Sequence, residues 1–103
     1  MPIDRIQIKG NARIGMVNLN WSSVTLTVTK ETLELDSSYT GKMTFTPADI
    51  ISLEAHKAWL SIGMGRIVIK HNLSKYDPKV IFWTYSDPQE IINGIIQIGF
   101  LNK

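Results

Sequence analysis

The sequence predicts a mainly β domain of the α+β class, with a curved antiparallel sheet or partly open barrel of about seven strands capped by one C-terminal helix. The first observation is an alternation of apolar and polar residues that recurs in short runs from residue 24 to residue 85. The second is a change to helical spacing after residue 88. The third is the length of 103 residues, from which we expect a single domain over residues 1–103.

The clearest alternation predicts a hairpin. Valine and leucine alternate with threonine over residues 24–29, and leucine alternates with polar residues over residues 32–36. Branched residues of this kind suit a pleated, half-buried surface. Lys30 and Glu31 lie between the two runs and form the predicted turn, whose type they leave open because neither Asn-Gly nor Asp-Gly is present.

The later strands are shorter and are separated by polar loops. Their apolar positions predict strands at 43–46, 50–56, 59–62, 66–70 and 80–85. Pro47 ends the first of these, because proline lacks the N–H group that a ladder requires. Gly63-Met64-Gly65 predicts a turn, and residues 72–79 predict a loop. The run at 80–85 is apolar on both faces, so we expect it to be central in the sheet.

The C-terminal segment has the spacing of an amphipathic helix that begins near residue 88. Asp87 is a good N-cap, Pro88 suits the first helical position, and Glu90 completes an Asp-x-x-Glu capping box. Gly94 favours a close approach of this helix to the sheet. Isoleucines at helical spacing form an apolar stripe: Ile91, Ile92, Ile95, Ile96 and Ile98. Because isoleucine is a mediocre helix former, burial of the stripe has to stabilise the helix.

The N-terminal segment is ambiguous. Ile6 and Ile8 alternate with polar residues, but Gly10 and Gly15 interrupt the pattern. We interpret residues 1–12 as an extended N-terminal arm, followed by a strand or an irregular segment. An amphipathic helix over residues 12–19 is the alternative.

Composition and charge exclude several classes of function. Eleven Lys and Arg against nine Asp and Glu leave a formal charge of +2, which is too small to predict a nucleic-acid partner. The absence of cysteine excludes disulfides and thiolate metal sites. The apolar runs are far shorter than the roughly 20 residues of a membrane span, and the first residues lack the pattern of a secretory signal. We therefore expect a cytoplasmic protein without a transmembrane segment.

A set of motifs spread over residues 22–100 resembles those of a known family. The motifs are Leu26-Thr27-Val28-Thr29, Leu33-Glu34-Leu35, Phe45-Thr46-Pro47-Ala48-Asp49-Ile50, Gly65-Arg66-Ile67-Val68-Ile69-Lys70-His71, Val80-Ile81-Phe82-Trp83, and a final helix ending in Ile98-Gly99-Phe100. In this order they resemble the pleckstrin-homology-like (PH-like) superfold, and within it the small bacterial PH-like domains and the related GRAM domains. The motifs are structural rather than catalytic, so the resemblance implies a fold and not an activity.

The resemblance does not extend to a phosphoinositide site. Family members that bind phosphoinositides carry a basic cluster on the first two strands and the loop between them. If these strands are 24–29 and 32–35, the loop has only Lys30 beside Glu31. If the first strand is 13–19, the loop over residues 20–23 has no Lys or Arg. Neither assignment supplies the several cations that a multiply charged headgroup requires.

The sequence offers little for catalysis or metal binding. His56 and His71 are the only histidines, and no carboxylate is spaced to complete a metal site with them. No Gly-x-Ser-x-Gly motif is present. His71 shares its side of a strand with Ile67 and Ile69, so we expect it to be partly buried with a backbone partner. We therefore expect no enzyme, no catalytic residue, no metal and no cofactor; a hydrolase or isomerase using His71 with a loop carboxylate is the enzymatic alternative.

The candidate binding residues are Trp59, Lys57, Arg66 and Lys70. Arg66 and Lys70 fall on one face of a predicted strand, and Lys57 lies on the preceding strand or turn. We expect Trp59 to be partly buried in the core; if it is instead exposed beside Leu60, it would mark a subunit interface. We expect a non-enzymatic binding or assembly module whose partner is another protein or a copy of itself, engaged through a sheet edge or an apolar patch. The alternative is recognition of a membrane surface or an anionic lipid through Arg66, Lys70 and their neighbours.

Overall fold

The alternating segments form one antiparallel sheet that curls into a half-barrel. A computed structural model of the chain describes residues 4–38, 41–57 and 65–101. The strands are β1 (Arg5–Ile14), β2 (Val17–Thr29), β3 (Leu33–Ser37), β4 (Gly41–Phe45), β5 (Ile50–His56), β6 (Gly65–His71) and β7 (Val80–Thr84). The sheet order is β4-β3-β2-β1-β7-β6-β5, and the helix α1 (Pro88–Gln97) follows the last strand. The mainly β fold class is confirmed.

The predicted hairpin is formed by β2 and β3. Leu26 pairs with Leu35 and Val28 pairs with Leu33 across the two strands. Threonine side chains specify the turn that the sequence left open, since the Thr29 hydroxyl accepts from the amides of Glu31 (3.3 Å) and Thr32 (3.2 Å).

The inner face of the sheet and the stripe of α1 form one core. Buried residues of the sheet contribute Val24, Leu26, Val28, Leu33, Leu35, Met43, Phe45, Ile67, Ile69, Val80 and Phe82, and the C-terminal segment contributes Ile91, Ile92, Ile95 and Phe100. Burying a side chain of this size stabilises the fold by roughly 1.5–3 kcal/mol. The prediction that isoleucines seal the helix against the sheet is therefore confirmed.

The start of α1 is also as predicted, except for the second half of the capping box. Asp87 Oδ1 accepts from the Gln89 amide at 2.9 Å, and Pro88 occupies the first helical turn. Within the described residues, Glu90 does not return a bond to the N-cap amide. A Cβ on Gly94 would lie 3.0 Å from Ile6 Cδ1, so the predicted close approach of helix and sheet is present.

The interpretation of the N-terminal segment needs correction. Residues 5–12 are not an arm, because Arg5–Ile14 is the middle strand of the sheet and pairs with both β2 and β7. The helical alternative over residues 12–19 is wrong as well, since this stretch contains the end of β1, a turn and the start of β2. Gly10 is part of the reason: a Cβ there would overlap the carbonyl oxygen of Trp83, so the glycine lets β7 approach where β1 bends.

The remaining strand predictions have different outcomes. The run at 80–85 is an interior strand, as expected, with β7 between β1 and β6. The strand predicted at 59–62, with its turn, falls largely on residues 58–64, which lie outside the described residues. Among the parts of the chain that are described, no helix has the length and apolar character needed to cross a membrane.

Candidate functional site

The sheet ends in two outer strands, β4 and β5. An outer strand has a neighbour on one side only, so every second residue directs its backbone N–H and C=O groups away from the sheet. Such groups must bond to side chains, to water or to another chain. The two edges of this sheet differ in how these groups are satisfied.

The β4 edge is closed at one backbone amide by a side chain from elsewhere in the chain. The Thr44 amide donates to the Tyr76 hydroxyl at 3.1 Å, so it is not available to a neighbouring strand. Just beyond the strand, the Thr46 amide and hydroxyl both donate to Asp49 Oδ2, at 2.8 Å and 2.9 Å. The Thr46 amide bond is the main reason that the pKa of Asp49 lies below its ordinary value.

An aromatic cluster positions the Tyr76 ring at this closed edge. The buried Phe45 ring lies 5.0 Å from the His71 ring and 5.2 Å from the Tyr76 ring, measured between centroids. The Leu73 amide donates to His71 Nδ1 at 3.0 Å, which places the ring proton on Nε2, and Nε2 donates to the Asp77 carbonyl at 2.8 Å. Both ring nitrogens of His71 therefore hold the loop that carries Tyr76, and the expected burial with a backbone partner is confirmed.

The β5 edge is open. Beyond its pairing with β6, no bond from the described residues reaches the backbone groups of residues 51–56. The register shifts between Ile50 and Ser52, and the side chain of Ile51 in this bulge is 63% exposed. Proteins protect outer strands with lysine, proline or other charged residues, or with bulges; β5 has no lysine or proline, but it has this bulge and Glu54.

A groove of about 430 Å³ lies between β5 and α1. Its lining consists of Pro47, Ile50, Ile51, Ser52, Leu53, Ile92, Ile96, Phe100 and Leu101. Apart from Ser52, these side chains are apolar. The open backbone groups of β5 therefore lie beside a surface that can receive apolar side chains.

The outer face of β5 and β6 carries charged residues. Glu54 Oε2 lies 2.9 Å from Lys70 Nζ, and Glu54 Oε1 lies 3.7 Å from His56 Nε2. The hydrogen bond from Lys70 is the main cause that lowers the pKa of Glu54 below its ordinary value. Glu54 is therefore an ionised carboxylate at neutral pH, at the open edge of the sheet.

The candidate binding residues are only partly brought together. Arg66 and Lys70 are exposed on the same face of β6, and Arg66 pairs with His56 across to β5. Lys57 Nζ instead lies 3.6 Å from Asp87 Oδ2 at the start of α1. Trp59 lies outside the described residues. Since Lys57 and Lys70 each face a carboxylate, these cations do not form a concentrated positive site.

A second, smaller groove of about 260 Å³ lies on the other side of α1, against the first half of β1. Residues 5–10 pair with β2, whereas pairing with β7 begins only at Asn11. The first half of β1 is therefore another strand segment with one neighbour among the described residues. Its lining residues are Ile6, Ile8, Ser86, Asp87, Glu90, Ile91, Gly94, Gln97 and Ile98.

The open edges are the features that sequence reasoning missed. A strand in the sequence does not reveal which neighbours it acquires, because the order of a sheet depends on contacts between distant residues. The only local signal was the apolar run Ile50-Ile51-Ser52-Leu53, which lacks the charges of a protected edge. No group of histidine and acidic residues suited to a metal ion occurs in residues 4–38, 41–57 and 65–101.

Comparisons with known proteins do not assign this chain to a family. No model of a protein family matches the chain, and no curated protein matches it. The chain is a small β-rich domain with a curled antiparallel sheet and one C-terminal helix, and it is PH-like in general shape.

Proposed function

We propose that this chain is a non-enzymatic protein-binding module that takes up an extended segment of its partner as an additional strand on β5. The observation that carries the proposal is the open backbone edge of residues 51–56 in β5, beside the groove that apolar side chains of β5 and α1 line. Bonds between main chains provide affinity in this mode of recognition, and pockets for alternate side chains provide specificity.

The contrast with β4 supports this choice of edge. Tyr76 and Asp49 already occupy amides at the β4 end of the sheet, so a partner strand would have to displace them. At β5 a partner would displace no hydrogen bond that a described residue makes to the backbone groups of residues 51–56. Burial of the exposed Ile51 side chain then adds a favourable hydrophobic contribution.

The family to which this chain belongs also forms part of the proposal. We infer that the chain belongs with the small bacterial PH-like and GRAM-related domains. The succession of curled strands followed by a C-terminal helix with an isoleucine stripe supports this grouping. Folds of this kind present sites of many types, so the site itself has to carry the functional argument.

A membrane surface or an anionic lipid is the competing partner. Arg66 and Lys70 lie on one exposed face, which favours it, but Lys70 is bonded to Glu54 and Lys57 lies beside Asp87. A small net charge of +2 gives little long-range attraction to an anionic surface. These pairings make the protein partner the better-supported candidate.

Selection from a phage-displayed library of random peptides tests the proposal. We expect the selected peptides to alternate apolar and polar residues, and synthetic copies to shift the amide NMR signals of β5 on titration. Ile51→Asp should abolish this binding because it places a carboxylate beside the groove. Val17→Asp is the matched control, since Val17 is also an exposed aliphatic residue of the sheet, at 52% exposure.

Two outcomes would overturn the proposal. One is that selection yields no peptide whose binding depends on Ile51. The other is that the protein sediments with phosphatidylserine vesicles in low salt and is released in high salt. In that case the Arg66→Glu variant should lose sedimentation, whereas the Ile51→Asp variant should keep it. That second result would establish the membrane-surface alternative.

A further inference from the structure

The two open strand segments carry opposite charges on the outer face of the sheet. Residues 5–10 of β1 place Arg5, Gln7 and Lys9 on the exposed side, with Ile6 and Ile8 on the side of the core. On β5, Glu54 is on the outer face and Leu53 packs toward the core. Arg5 and Lys9 have no ion pair with a described residue. Each segment thus alternates an apolar inner side with a charged outer side. Glu54 already pairs with Lys70 of β6, and a cation on the open side of β5 would be its second partner.

We propose that the segment taken up by β5 is residues 5–10 of β1 from a second copy of this chain. The inference rests on the proposed strand addition at β5 and names the partner. In the joined sheet, the outer side of β5 brings Glu54 near Arg5 or Lys9 of the other copy. The inner side brings Leu53 and Ala55 near Ile6 and Ile8. Opposite charges on neighbouring strands stabilise pairing, as do apolar side chains that share a face.

The charges disfavour pairing of like edges. An antiparallel pair of two β5 strands brings Glu54 near its own copy, and a pair of two β1 segments brings Arg5 and Lys9 together. Like charges on neighbouring strands are destabilising. The favoured contact therefore joins two different surfaces. Since each copy then keeps one free β1 segment and one free β5 edge, further copies add until a ring closes or a filament grows.

Sedimentation velocity over a concentration series tests the inference. We expect the unaltered protein to form species that grow with concentration. Glu54→Lys alone and Arg5→Glu with Lys9→Glu should each weaken association roughly tenfold, because attraction becomes repulsion. The variant that combines all three changes should associate like the unaltered protein, since the charges are again complementary. Glu31→Lys makes the same charge change as Glu54→Lys in an exposed turn and should have no effect.

Cysteine cross-linking provides a second measurement, and circular dichroism checks that each variant is folded. The chain has no cysteine, so an introduced one is unique. A mixture of Gln7→Cys and Ser52→Cys should form mixed disulfide dimers faster than either variant forms dimers alone. Faster dimerisation of Ser52→Cys by itself indicates symmetric pairing of β5 strands and overturns the inference.

The inference and the proposed function fail in distinguishable ways. A protein that stays monomeric at high concentration, but binds selected peptides in an Ile51-dependent manner, overturns the self-assembly and leaves strand addition intact. Association that is insensitive to Glu54→Lys, or that the combined variant fails to restore, also overturns the inference. Loss of Ile51-dependent binding to every probe overturns both.

Discussion

The two outer strands of this sheet meet the same physical requirement in different ways. On β4, the Thr44 amide bonds to the Tyr76 hydroxyl, and Asp49 receives the next amide beyond the strand. On β5, the unbonded backbone groups lie beside a groove between β5 and α1. One edge is therefore closed at Thr44 by a bond within the chain, whereas the described residues provide no such bond at the other.

Closure of the β4 edge depends on residues that are far apart in sequence. Phe45 lies on β4, His71 ends β6, and Tyr76 belongs to the loop that follows it. At the β5 edge the described residues form no such set, and solvent can satisfy its backbone groups. We therefore expect substitutions at β4 to affect folding and substitutions at β5 to affect binding.

The largest expected difference is between Phe45→Ala and Ile51→Ala. Phe45 is fully buried in the aromatic cluster, so its truncation should lower the free energy of unfolding by about 3–5 kcal/mol. Ile51 is 63% exposed at the open edge, and its truncation should change this energy by no more than about 0.5 kcal/mol. Urea denaturation of both variants measures the difference. If both variants lost a similar amount of the free energy of unfolding, the two edges would contribute equally to stability and the distinction would be wrong.

A smaller effect is expected from Tyr76→Phe, which removes the acceptor of the Thr44 amide and keeps the ring. Loss of this bond should lower the free energy of unfolding by roughly 0.5–1.5 kcal/mol. Hydrogen exchange at the Thr44 amide should become faster. Tyr85→Phe is the control, because Tyr85 is 82% exposed and its change should be silent. Unchanged exchange at Thr44 in Tyr76→Phe would contradict the closed-edge interpretation.

The smallest expected effect is a lowered pKa at two carboxyl groups, Asp49 beside the β4 edge and Glu54 on β5. We expect NMR titration to find the pKa of Asp49 below 3.8 and the pKa of Glu54 below 4.5. Because folding lowers both values, the stabilisation from these groups is present above the ordinary carboxyl pKa values and is lost as pH falls through the folded ones.

Lys70→Ala separates the causes of the two pKa shifts. This change should raise the pKa of Glu54 toward 4.5, since the Lys70 hydrogen bond is the main cause of its shift. It should leave the pKa of Asp49 unchanged, because that pKa is lowered mainly by hydrogen bonds from the Thr46 amide and the Thr46 hydroxyl. Equal movement of both groups in the variant would disprove this assignment.

Much of the secondary structure was predictable because its signals are local. The alternation at β2 and β3 and the isoleucine stripe of α1 follow from side chains two, three or four residues apart, and the structure confirms them. Capping by Asp87 was predictable for the same reason. The burial of His71 followed from its position in the alternation of β6.

The candidate site was much less predictable, because it depends on which strands become neighbours. Arg66 and Lys70 do share a face, but the ion pair of Lys70 with Glu54 forms across two strands and has no local signal. Apart from the uncharged run Ile50-Ile51-Ser52-Leu53, nothing in the local sequence indicates that β5 is an outer strand. The groove against α1 arises only when the end of the chain returns to that strand.

By itself, the sequence determined the strand-forming runs, the amphipathic helix and a mainly β fold, since each depends on periodicity along a short stretch of backbone. Only the tertiary structure decided that β1 is the middle strand and that β4 is closed while β5 is open. The physical reason is clearest at Gly10, where a missing side chain looks like an interruption of the local pattern. In three dimensions, that same absence provides the space in which a distant strand, β7, crosses.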